Sequence, residues 1–324
     1  MRKALLSLAA TLAFAVTSVT PSWAQDYPPG PPIKIMVPAA PGGTSDYVAR
    51  FMAEHLTRVL GQPVIVEHKP GAGGIVGASL AAKMPADGRT LLLGNPGPIV
   101  FGPAMTKVPY TVSKDFVAVG SFITFANTLL LNPQVKANNM KELIELAKRN
   151  PGKINFASPG NGQSQHLSGE MMKRMAGVDM VHVAYKGTAA ALTDLIAGQV
   201  QMMFGNIPTS LPFIQSGQLR AIAVTGAKRS RMLPGVPTAS ESGLPGFVVP
   251  SWVGLFVPAG TPQPLIDRVH AESEKAWASA EGQQILARYD LDWTPSTQAG
   301  HIAFVNNEIA RWTAVIRDGN IKAE

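Results

Sequence analysis

Three stretches of this chain set glycines and small side chains, two of them with hydroxyls, at the point where a strand gives way to a helix. The first is Pro38-Ala39-Ala40-Pro41-Gly42-Gly43-Thr44-Ser45-Asp46. Glycines at 42 and 43 let the backbone turn and approach a ligand closely. The helix that follows aims unpaired N–H groups and the positive end of its dipole at the loop. Thr44 and Ser45 add hydroxyl donors, or cap the helix, and Asp46 falls in its first turn. Pro70-Gly71-Ala72-Gly73-Gly74 repeats the device with no large side chain, and Ser158-Pro159-Gly160-Asn161-Gly162-Gln163-Ser164 repeats it again further on. Such loops capture carboxylates or phosphates; one is weak evidence, and three at strand-to-helix junctions are better.

Catalytic motifs are missing. There is no G-x-S-x-G, no H-E-x-x-H and no P-loop in the sequence. Gly71-Ala72-Gly73-Gly74-Ile75-Val76 fails the dinucleotide pattern because Val76 stands where the third glycine is needed. His55, His68, His166, His182, His270 and His301 show no metal-ligand spacing among themselves, so neither a metal nor a cofactor is expected. His166 opens a helix after a glycine loop and is the one histidine placed to approach a cleft.

The elements that must hold these loops follow a regular alternation. Ile33 to Val37 reads as a strand. Val48, Phe51, Met52, Leu56, Val59 and Leu60 recur at helical spacing up to Gly61. Pro63 to Glu67 is a strand, Ile75 to Lys83 a short helix and Thr90 to Gly94 a third strand. A second unit repeats the order. Its strands are Thr128–Leu131, Lys153–Ala157, Met180–Val183, Val200–Phe204 and Leu219–Thr225, and its helices are 140–149, 166–175 and 189–197. Short β-α-β connections imply parallel strands covered by helices. Two such units facing each other form a cleft at the carboxyl ends of their strands. The division expected is 25–124 plus 226–324 for one domain and 125–225 for the other.

Composition narrows the class. In 324 residues, 46% are hydrophobic and 15% charged, which excludes disorder, and the absence of cysteine excludes a disulfide scaffold. Arg2 and Lys3, an apolar run from Ala4 to about Val19, and Ser22-Trp23-Ala24 have the form of a secretory signal, residues 1–24, with cleavage after Ala24. Removing Arg2 and Lys3 takes the net charge from +7 to +5. The basic residues are scattered, without aromatic interleaving, so no nucleic acid is expected as a partner. An exported, periplasmic protein with an anionic ligand fits.

Read together, the motifs resemble the tripartite tricarboxylate transporter substrate-binding receptors, the Bug family of periplasmic solute-binding proteins. The matching runs are Val37-Pro38 through Gly43 and Asp46, Lys69 to Gly74, Pro85 to Leu92, Lys114-Asp115-Phe116, and Gly160-x-Gly162-x-Ser164-x-His166-Leu167. Val183 to Gly187, Leu219 to Thr225, Pro234 to Thr238 and Gly254 to Pro262 complete them. The resemblance covers the mature chain in order. It implies an α/β, type II periplasmic-binding fold, two α/β domains with mostly parallel sheets flanking a ligand cleft. It also implies a small carboxylate as ligand and the membrane permease subunits of a tripartite transporter as partners, with the chain acting as a monomer. Ligand contacts carry over onto Ala40, Gly42, Gly43, Thr44, Asp46, Gly71, Gly73, Ser158, Gly162 and Ser164, with His166 and Asn206 beside them. The chain departs from the family pattern at His68 and Ile75, where asparagine is common, and at Gly205, where aspartate is usual. Without that aspartate an amino-acid ligand lacks a partner for its ammonium group. A sensory receptor of the same fold, or an exported enzyme acting on an organic acid, are the alternatives.

Overall fold

The computed structural model describes residues 27–319 and 321–322, so the proposed signal segment, residues 1–24, lies outside the described residues. Eleven strands are described: β1 (Ile33–Val37), β2 (Val64–His68), β3 (Thr90–Gly94), β4 (Phe116–Phe125), β5 (Asn127–Leu131), β6 (Asn155–Ser158), β7 (Val181–Ala184), β8 (Met202–Asn206), β9 (Arg220–Val224), β10 (Ser251–Pro258) and β11 (Asp292–Trp293). They form two sheets, ordered β11-β4-β10-β3-β1-β2 and β7-β6-β8-β5-β9.

The helices of the first half are α1 (Thr44–Leu60), α2 (Ile75–Ala81), the single turns α3 (Gly102–Met105) and α4 (Val112–Asp115), and α5 (Met140–Arg149). Those of the second half are α6 (Ser164–Ala176), α7 (Thr188–Ile196), α8 (Ile207–Gln215), α9 (Gln263–Ala278), α10 (Ala280–Arg288) and α11 (Gln298–Gly319).

Strand periodicity sorts the first sheet's side chains between two cores. Ile33, Ile35 and Val37 of β1 pack with Val48, Met52 and Leu56 of α1, and Met36 faces the opposite core. In β3, Leu91 and Leu93 join the first group and Leu92 the second. The apolar stripe of α1 is therefore the lid of one sheet face. It ends at Gly61 in the left-handed region (φ 63°), where glycine carries no β-carbon penalty.

The sheets are mixed, not mostly parallel. β1 is parallel to β2 and β3, but β10 is antiparallel to β3 and β4, and β11 to β4. In the second sheet β6 is parallel to β7 and β8, while β5 is antiparallel to β8 and β9. The parallel pairs are those with a helix on the crossover. β4 and β5 are separated by Ala126 alone and lie in different sheets, and β10 enters the first sheet from the second with no helix between. Before that return, Val224 bridges Thr238 and the Val249 N–H donates to the Thr225 carbonyl, 2.9 Å.

Candidate functional site

Four connections bring helix N-termini to one place. β1 leads to α1, β6 to α6, β7 to α7 and β8 to α8. The residues before those helices, Gly43, Gln163, Gly187 and Asn206, all line one cavity of about 500 Å³ between the two sheets. None of the four helices has a side-chain hydrogen bond at its N-cap. Of the longer helices away from this lining, α5 and α10 are closed by Asn139 and Ser279, while α9 starts at Pro262 without a side-chain cap. Open first turns at the cavity leave N–H groups and dipole ends directed at whatever enters. The lining contains no aspartate or glutamate, and its single charged side chain is Lys186. The arrangement is chemically suited to an anion with oxygen acceptors.

Contacts between the two sheets' loops join the two sides of the cavity. The Gln163 side-chain amide donates to the Gly73 carbonyl (2.8 Å), and the Asn206 amide donates to Thr44 Oγ1 (3.0 Å). Ser164 Oγ donates to Ser251 Oγ (3.1 Å) on β10. Gly73 sits at φ 64°, and a β-carbon there would stand 2.1 Å from the Asn161 carbonyl oxygen. This is a position where only glycine lets the two sides meet.

The residues singled out from sequence divide into two groups. Ala40, Gly43, Thr44, Gly71, Gly73, Ser164 and Asn206 line the cavity. Gly42, Asp46, Ser158, Gly162 and His166 do not; they stand behind the lining and fix it. The Gly42 N–H donates to the Asp46 carboxylate (3.0 Å), which also meets Arg50 Nε and His68 Nε2, each at 2.9 Å. Thr44 and Ser45, read as possible caps, lie inside the first turn of α1, and Gly43 is the N-cap. Burial opposes ionisation of Asp46, but the Gly42 N–H, Arg50 and His68 outweigh it and hold the carboxyl below its ordinary value. The second loop has the same lock. The Gly162 N–H donates to His166 Nδ1 (3.1 Å), and Gly162 borders a smaller cavity of about 180 Å³ next door.

His166 is therefore a brace. Its ring stacks on His182 at 4.0 Å between centroids, and His182 Nε2 shares a 2.7 Å hydrogen bond with Ser158 Oγ. The two rings are 1% and 9% exposed. Burial lowers the His166 pKa to about 3, helped by the neighbouring His182 and Lys173, and burial lowers that of His182 to about 4. Both are neutral at pH 7.

The run Val183 to Gly187, read from sequence only as a matching motif, was not assigned to the site, because its one glycine gave a thin signal. Gly187 (φ 113°) opens α7, and Lys186 and Thr188 line the cavity. The Tyr185 hydroxyl donates to Asp194 (2.8 Å), and burial together with that carboxylate pushes its pKa up to about 12. Ser251, Val253 and Phe125, from strands, and Gln165 also line the cavity.

With this geometry in view, the comparisons with known proteins converge. The profile of the tripartite tricarboxylate transporter family receptor matches residues 48–321. The chain belongs to that family. It is 35% identical to Protein BugT of Bordetella pertussis over 296 residues, 91% of each chain. Among solved structures it is similar to the periplasmic binding protein BugD, with 33% identity, TM-score 0.84, and coverage of 92% of this chain and 100% of that one. It is also similar to Rpa4515 of R. palustris, whose structure holds adipate, with 31% identity, TM-score 0.85, and coverage of 90% and 98%. Two of the positions singled out as departures, His68 and Gly205, have local reasons. His68 holds Asp46 and the Ala39 carbonyl (2.9 Å) behind the first loop. A β-carbon at Gly205 would stand 2.7 Å from Leu130 and 2.8 Å from Ser210 Oγ.

Proposed function

We propose that this receptor captures a small organic carboxylate in the cavity between its sheets and delivers it to the permease of a tripartite transporter. The observation that carries the reading is the set of four helix N-termini without side-chain caps, facing one cavity whose lining has no acidic side chain. A carboxylate group takes the place of the missing caps, through Thr44, Ser164 and Thr188 and the adjoining N–H groups. Lys186 faces a second acidic group on the ligand. The adipate held by the similar Rpa4515 supports a dicarboxylate, and the lack of an acidic partner argues against an amino acid.

The protein works by binding, without catalysis: His166, the one histidine suggested by sequence as cleft-facing, is consumed in bracing a loop. Release from the cell membrane follows cleavage after Ala24, giving a periplasmic monomer that starts at Gln25. Among the described residues no helix is long and apolar enough to cross a membrane. The two sheets act as lobes, 25–124 plus 226–324 against 125–225, with the chain crossing between them at Ala126 and again between Val224 and Ser251.

A thermal-shift panel of mono-, di- and tricarboxylates tests the ligand class. An acid at a hundred times its dissociation constant stabilises the folded state by about 2.7 kcal/mol. Each acid is run beside its uncharged amide. Stabilisation by an acid and not by its amide supports the reading; equal response to both overturns it.

A further inference from the structure

Away from the cavity, the structure gathers a second set of chemically capable side chains. His270 and Glu274 are one helical turn apart on α9, and His301 lies in the first turn of α11. One donor atom from each residue lies within 4.8 Å of the others. The sequence shows no metal spacing among its histidines because one donor is a glutamate and the second histidine comes from a different helix.

Two details single the cluster out. His301 is 2% exposed, and its Nε2 has no hydrogen-bond partner; the buried Oε1 of Glu274 has none either. These atoms face each other at 3.5 Å, too far for a good hydrogen bond. Buried polar atoms left in this way need a reason. Zinc bonds of 2.0–2.1 Å at a tetrahedral angle set neighbouring ligand atoms about 3.3 Å apart, close to the separation seen. Second, His270 Nδ1 lies 2.9 Å from the Val119 carbonyl, which can only accept. Nδ1 therefore carries a proton and Nε2 is the ring nitrogen left for a metal, the orientation that backbone carbonyls impose on metal-bound histidines. The Phe122 ring, stacked on His301 at 4.7 Å, fixes the other imidazole.

We propose that His270, Glu274 and His301 form a divalent-metal site, with zinc as the best-fitting ion, that staples α11 to α9 across β4. Two imidazoles and one carboxylate suit zinc's tetrahedral N/O preference, with water as a fourth ligand. The three residues do not line the cavity, so the site stands independently of the carboxylate reading.

The test uses untagged protein stripped of metal and titrated calorimetrically with zinc chloride. One zinc per chain, bound at micromolar concentration or tighter, is expected. Glu274→Gln, which keeps size and removes charge, should weaken it at least tenfold. His301→Phe, which keeps the ring stack on Phe122, should do the same. Should His301→Phe not fold, cobalt substitution of the wild type decides. Visible bands of tetrahedral cobalt(II), displaced by zinc and absent in Glu274→Gln, support the site. Failure of the wild type to bind zinc at 100-fold molar excess overturns it, as does binding unchanged in Glu274→Gln. In the latter case the ion lies elsewhere, and the cluster is a plain His301–Glu274 ion pair.

Discussion

Acid should loosen this protein through two buried rings. His166 and His182 have folded pKa values of about 3 and about 4, against an ordinary 6.5 in the unfolded chain. Below pH 6.5 the unfolded chain therefore takes up two protons that the folded protein refuses. Stability contributed by the neutral pair is complete above the unfolded value and falls as pH drops, until the folded values are reached. For each ring the slope is half of about 1.4 kcal/mol per pH unit at pH 6.5 and approaches that value near pH 5, so over this range the pair costs roughly 3 kcal/mol. That is a large fraction of a typical total of about 5–15 kcal/mol. The consequence is local as well, because a proton on His166 Nδ1 removes the acceptor of the Gly162 N–H and frees the Ser158–Ser164 loop. Urea unfolding of wild type and His182→Phe at several pH values between 6.5 and 5 measures this. Phenylalanine keeps a ring between Phe156 and His166 and cannot titrate. Its constant cost drops out when slopes are compared, and its mean slope over this range should be shallower by about 1 kcal/mol per pH unit. Identical slopes would refute the assignment of these rings as buried and neutral.

Three further outcomes are expected. Gly73→Ala places a β-carbon 2.1 Å from the Asn161 carbonyl, so the two sides of the cavity cannot close and calorimetric affinity for the carboxylate should fall by roughly tenfold or more; unchanged affinity would show that this contact is not part of the bound state. Asp46→Asn removes the charge that Gly42, Arg50 and His68 share, and since the folded pKa is depressed, its stabilisation is present above the ordinary carboxylate range and lost as pH falls through the folded value. The variant should therefore melt lower than wild type at pH 7 and converge with it in acid. Lys186→Gln should weaken a dicarboxylate several-fold with little effect on the melting temperature of the free protein, because Lys186 is exposed, and the loss should shrink at high salt.

How far the sequence discloses this structure depends on what kind of signal each part leaves. The stripe of α1, the β1–β3 strands and Gly61 are written in local periodicity and turn chemistry, and they appear where expected. α8 was hidden because Pro208 and Pro212 read as breakers, although Pro208 sits near the start, where the missing N–H costs nothing. α10 was hidden behind α9, which it follows after Ser279 alone. The antiparallel placement of β10 depends on which sheet a strand joins, and no local pattern encodes that. In the site, glycine loops were legible because glycine has few other uses there. What stood behind them was not. Asp46 and His166 look alike in sequence to ligand-facing groups, and only the three-dimensional path of Gly42 and Gly162 turns them into braces. Ser251 and Phe125 reach the cavity from strands with no motif around them.

The most direct test of the central claim is a crystal structure of the receptor with the acid that gives the largest thermal shift. The ligand's carboxylate should lie at the open first turns of α1, α6 and α7, within hydrogen-bond distance of Thr44, Ser164 or Thr188, with any second acidic group toward Lys186. A ligand whose apolar part faces those helix ends while its carboxylate points to solvent would contradict the account.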